Sequence, residues 1–193
     1  MTPRLNIRPE REDQILEVTR AIIANAGVEA VNLQDIATKT GLSRTAIYQY
    51  FSSREHVLAE LVINEMADLS NEIDARIAKF DEPLERVRIW MHYSLAHLAS
   101  ADHRIIRQIS VASLPEESRS LIKDLHGHFM MALLSPLKEL GVKDVTATSH
   151  LIFASVAAAA NRIDEGADFS LEASTLEKYV VSGIEGTLGS DSL

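Results

Sequence analysis

The chain has no cysteine among its 193 residues, which removes disulfides and thiolate metal sites and fits a reducing interior, the cytoplasm by default. Helix breakers are few, with five prolines and eight glycines, and strand-type alternation is scarce, so helices are expected to dominate. Long apolar runs are missing as well. The longest, Leu151 to Ala160, falls well short of the ~20 residues a membrane span needs, and the charged opening MTPRLNIRPERED lacks the apolar region of a signal peptide. A soluble protein is expected. Positive charge is also short: the net charge of −9 speaks against a general polyanion binder. Aromatics are scarce too, with one Trp, four Tyr and five Phe.

What is present is apolar content of 46%, enough in a chain of this length to bury a substantial core. The charge is unevenly spread. Residues 1–60 carry seven bases and eight acids, net −1, while residues 61–193 carry twelve bases and twenty acids, net −8. Three- and four-residue apolar spacing predicts an all-α fold of about nine helices. The first spans Glu10 to Ala26 and stops at Gly27; a second follows Asn32, and a third runs from a Ser43 cap through Phe51. SSRE, Ser52 to Glu55, has capping-box spacing for a fourth helix continuing to about Phe80. Helices from Pro83 to Ser100, from the region after Asp102, from Glu116 to Leu140, from Asp144 to Glu165 and from Leu171 to Leu188 complete the series, with Pro136 expected to kink or end the seventh. The eighth is apolar on nearly every side and the ninth carries Gly183 and Gly186, a pairing that suits contact with a second protomer.

Three of the few aromatics crowd into GLSRTAIYQYF, Gly41 to Phe51. With LQDIATKT before it, this stretch reads as two short helices joined by a turn at Gly41, a helix-turn-helix. Ile36, Ala37, Leu42 and Ile47 fall at its inner contacts. Ser43, Arg44, Thr45 and Ala46 then face a DNA major groove, with Tyr48 and Gln49 along the same or a flanking surface. Arg44 suits guanine or phosphate, Gln49 adenine, Thr45 or Ala46 a thymine methyl, and the Tyr48 hydroxyl a phosphate. Lys39 and Arg54 complete the expected DNA-contacting set, and Phe51 is assigned to the core. Arg4, Arg8 and Arg11 form either an arm touching the minor groove or phosphates, or a solvated tail.

The segment Gly27 to Val62, with its IA pair, its glycine–hydrophobic–serine turn, its YQYF helix end and the serine, base and glutamate that follow, resembles the DNA-binding segment of the TetR family of transcriptional regulators. It departs from many members at Thr45 and Arg54, where they carry glycine and lysine. The resemblance covers about the first third of the chain. It implies an N-terminal three-helix DNA-binding domain, residues 1–52, and a C-terminal helical domain, residues 53–193, for effector binding and dimerisation. It also implies a homodimer through the eighth and ninth helices, and a repressor released from a palindromic operator by a small molecule.

For the effector, the fifth helix offers Trp90, Tyr93 and His97 as a strip separate from its Leu84–Leu98 core stripe. Arg107, His128, Phe129 and Asn161 are the expected companions from neighbouring helices, although residues such as Trp90 and Phe129 are more often ordinary core. Seven histidines raise the question of a metal. His126 and His128 are two apart and no His-x3-His pair occurs, so neither a metal site nor a cofactor is expected. No nucleophile elbow or phosphate loop is found, and no enzymatic activity is expected. The competing class is a helical small-molecule-binding dimer without specific DNA reading.

Overall fold

The computed structural model describes residues 10–188, and Arg4 and Arg8 lie outside them. Among the described residues the chain is all-helical, as the apolar spacing demands. Its nine α-helices are α1 (Glu10–Ala26), α2 (Leu33–Thr40), α3 (Arg44–Tyr50), α4 (Arg54–Ile77), α5 (Pro83–Leu98), α6 (Ala101–Ile106), α7 (Glu116–Glu139), α8 (Val145–Asp164) and α9 (Phe169–Leu188). No described helix is long and apolar enough to cross a membrane.

Local chemistry sets the helix ends. The Asn32 side chain accepts a hydrogen bond from the Asp35 amide at 2.8 Å and opens α2, and Ser43 Oγ accepts from the Ala46 amide at 3.1 Å and opens α3. Between them Gly41 sits at φ 69°, the left-handed conformation glycine adopts without a steric penalty, and the chain turns sharply there. The start of α4 differs from the expected capping box. Ser53 rather than Ser52 is the N-cap, its Oγ accepting from the His56 amide at 3.1 Å, while the Ser52 amide donates to His56 Nδ1. The adjacent serines offer the same hydroxyl in two registers, and the second lets α4 begin at Arg54. Pro136 lies inside α7, which runs only one further turn to Glu139.

The chain divides into two compact units. One comprises the chain up to Asn64 with Ile105–Ile122; the other comprises Glu65–Arg104 and the chain from Lys123 onward. In the first, α1 packs on α2 and α2 on α3, around Ile15, Ile23, Ile36, Ala37, Ile47 and Phe51, all nearly inaccessible to solvent. In the second, α5 packs against α8 and α9 around Trp90, Leu95, Leu133, Leu137 and Val156. Full burial of such side chains contributes ~1.5–3 kcal/mol each, which is what holds short helices such as α2 and α3 in place.

Candidate DNA interface and effector region

Within α3 only Ile47 is buried; Arg44, Thr45, Tyr48 and Gln49 are exposed and Ala46 is half-buried. Ile47 is the buried residue of a helix that packs on α2; Tyr48 and Gln49, one and two positions on, turn away from it, and Arg44 and Thr45 stand exposed in the first turn. Ser43 is exposed at the helix start and Lys39 is exposed in the last turn of α2. Phe51 is buried, as expected, with its ring edge-on to His56 at 5.4 Å between centroids. Tyr50 is half-buried.

Arg54 is turned toward its own unit. Its Nε donates to the Val31 carbonyl at 3.0 Å and one terminal nitrogen donates to the Val28 carbonyl at 2.9 Å, with Glu29 at 3.4 Å. These bonds tie the start of α4 to the turn preceding α2. Arg44, Tyr48 and Arg54 nevertheless share the wall of one open concavity of about 550 Å³, with Asn32, Gln34 and Ser52 beside them. That wall offers hydroxyl, amide and guanidinium donors, the groups that bind phosphate oxygens. Next to it, Glu55 in the first turn of α4 is held below the usual carboxylate range, first by its own backbone N–H and then by Ser53 and Arg54, against a smaller effect of burial.

The residues expected around an effector are placed differently. Trp90 is fully buried; its indole N–H donates to the Phe129 carbonyl at 3.1 Å, and the two rings meet at a tilt of 36° with centroids 4.8 Å apart. Phe153 of α8 completes this aromatic cluster at 6.4 Å from Trp90. Tyr93 is half-buried beneath the Arg76 guanidinium, 4.0 Å from the ring centroid. His128 and Asn161 are exposed, His128 facing Asp74 at 2.8 Å. Arg107 is exposed and belongs to the first unit.

His97 is drawn into a cluster that sequence spacing does not reveal. Its Nε2 and the Nδ1 of His103 both meet Glu65 Oε1, at 3.1 and 2.9 Å, so α4, α5 and α6 meet at one oxygen. Burial pushes the Glu65 carboxyl up, but hydrogen bonds and charge from His103 and His97 outweigh it, and the net shift is downward from the ordinary 4.5. The three residues lie far apart in sequence on three helices, so no spacing motif could have flagged them.

Residues 15–61 match the family model described as bacterial regulatory proteins, tetR family. The curated relative HbdR, an HTH-type transcriptional regulator of Aromatoleum sp., is 27% identical over 117 residues, covering 60% of this chain. The chain spans about half of that relative, 51%, and less of a Mycobacterium tuberculosis regulator 32% identical over 77 residues, 38% of whose length it covers. Among solved structures, a TetR-family protein of Vibrio parahaemolyticus is 27% identical with a TM-score of 0.68, over 91% of this chain and 95% of that one. FadR from Bacillus subtilis, solved with stearoyl-CoA, is 21% identical and shares the fold at a TM-score of 0.73, over 89% of this chain and 98% of that one. The buried Ile36, Ala37 and Ile47, the Gly41 turn and the outward face of α3 all lie within residues 15–61, and that segment is a DNA-binding domain of the tetR-family kind.

Proposed function

We propose that this protein is a sequence-specific DNA-binding transcriptional regulator, a homodimer that acts as a repressor and leaves a palindromic operator when a small molecule binds. The observation that carries the reading is the outer face of α3. Arg44, Thr45, Tyr48 and Gln49 are exposed together on a helix whose one buried residue is Ile47. A helix presented this way, with its N-terminal residues outermost, fits a major groove. Ser43, Ala46 and Lys39 extend the contact surface, and Arg54 serves it by holding the turn before α2 through Val28 and Val31.

In this reading residues 1–52 read DNA and residues 53–193 receive the effector and dimerise. Dimerisation is assigned to α8 and α9. Leu151 and Tyr179 are each 70% exposed, and a Cβ added at Gly183 or Gly186 would meet nothing within 4 Å in this chain. Apolar side chains left open beside glycines that nothing within the chain requires are what a second copy would cover.

The effector region is assigned to α5, α7 and α8. Trp90 and Phe129 are closed on each other with Tyr93 nearby on α5, so a ligand that reaches them must part α5 from α7. Such a ligand binds the parted arrangement better than the closed one, which is the difference that allosteric control requires. α4 is continuous from Arg54 to Ile77 and carries residues of both units.

The test is a gel-shift titration of the purified protein against the DNA flanking its own gene, with random duplex as competitor, over a series of salt concentrations. A palindromic segment should outcompete random duplex, and affinity should fall steeply with salt. Equal affinity for every duplex rejects the proposal.

A further inference from the structure

We infer that Glu65, His97 and His103 form a binding site for a divalent transition-metal ion of the zinc class. The site stands independently of the DNA-binding reading. Three facts carry it. The potential ligand atoms, one from each side chain, lie within 4.8 Å of one another. All three side chains are largely sheltered, with 10% of Glu65, 22% of His97 and 20% of His103 exposed. The donor set of two imidazoles and one carboxylate is one that zinc takes in protein sites, leaving a fourth position for water or another ligand.

Two of the three ligand pairs need little change, while the two imidazole nitrogens, within 4.8 Å of one another, draw together on the ion. Metal–ligand bonds of about 2.0–2.2 Å place tetrahedral ligand atoms about 3.3–3.5 Å apart. Oε1 of Glu65 now stands 3.1 Å from His97 Nε2 and 2.9 Å from His103 Nδ1, so these pairs widen by only a few tenths of an ångström. At present the rings share their N–H protons with one carboxylate oxygen; with the ion in place the ligating nitrogens are bare, and each neutral ring carries its proton on the other nitrogen. With no cysteine in the chain, the nitrogen and oxygen donors select zinc, cobalt or nickel over ions that need thiolate. His128 and Asp74, 2.8 Å apart, offer only two ligands in the open and serve as a control.

The experiment uses the full-length protein, stripped with a chelator and desalted, then titrated with Co2+ while the visible d–d absorption of a tetrahedral site is followed, with Zn2+ as competitor. One ion should bind per chain, and Zn2+ should displace it. His103→Ala should weaken binding by about a hundredfold or more, since loss of a mere supporting contact already costs about 10- to 100-fold. Glu65→Gln, which keeps volume and a hydrogen-bond acceptor, guards against a folding defect, and circular dichroism should show its helices intact. It should weaken binding while His128→Ala leaves binding unchanged. Absence of bound ion in the native protein, or binding that survives both His103→Ala and Glu65→Gln, overturns the proposal.

Discussion

The guanidinium of Arg54 donates to the carbonyl of Val31 across 3.0 Å, joining the first residue of α4 to the turn that leads into α2. A side chain that sequence position alone would hand to DNA thus has an architectural duty. Arg54→Ala should destabilise the first unit by about 1–3 kcal/mol, because it strands two carbonyls that lose a charged donor. Urea denaturation measures this. Arg54→Lys should recover little of it, since an ammonium cannot serve both carbonyls with the same planar fork. If Arg54 acts only through the fold, the salt dependence of DNA binding should keep its slope in the alanine variant, which removes the charge.

Tyr48 and Gln49 should separate by their effects on base preference. Tyr48→Phe removes a hydroxyl placed for phosphate and should weaken all sequences alike. Gln49→Ala should cost about 1–3 kcal/mol at one base position and relax the preference there. Selection from a randomised half-site reads both, and an unchanged preference for Gln49→Ala excludes that residue from direct readout.

Gly41→Ala should cost about 1–2 kcal/mol, because φ of 69° drives a Cβ against the following carbonyl. The surroundings are open, with nothing within 4 Å of the added carbon, so the cost is one of backbone conformation and not of packing. Gly41→Asn should be milder, as asparagine tolerates the left-handed region. Thermal unfolding followed by circular dichroism ranks the three proteins.

The exposed Leu151 and Tyr179 should report the dimer. Replacing either by aspartate changes no buried contact within the chain, yet should shift sedimentation velocity toward monomer. Gly183→Ala offers a sharper version. It should raise helix stability by up to about 1 kcal/mol while weakening self-association. Association unchanged by all three substitutions removes α8 and α9 from the interface.

Glu55 gives a pH-dependent readout. Its carboxyl is held below the usual range, chiefly by its own backbone N–H at the start of α4, so it stabilises the folded state when ionised. The contribution is complete above the ordinary carboxylate value near 4.5 and is lost as pH falls through the depressed folded value. Because the side chain is well exposed, the effect should amount to at most a few tenths of a kcal/mol after screening. Glu55→Gln should flatten that part of the acid limb of the stability profile.

Much of the fold was legible because its signals are local. Asn32, Ser43 and Gly41 each act within a few residues, and both ends of α2 and the start of α3 follow from them. The N-cap of α4 lies one residue beyond the one the capping-box spacing indicates because two adjacent serines present the same chemistry, and Ser53 is the one whose Oγ meets the His56 amide. The DNA face could be read from Ile47 outward because one buried residue fixes the phase of a short helix. The effector region lacked any such anchor. Trp90, Tyr93 and His97 lie along one side of α5, yet one is in the core, one lies under Arg76 and one is held by Glu65. Those fates are decided by partners 17 to 39 residues away, in contacts to which sequence periodicity is blind.

The open face of α8 and α9 has a consequence for gene dosage. If the two-headed form is assembled by burying Leu151 and Tyr179, the population able to grip both half-sites depends on chain concentration. Below the dimer dissociation constant that population rises with the square of the concentration. A small rise in expression would then be amplified at the operator before any effector is involved, so the patch sets how sharply the cell's level of this protein is converted into control.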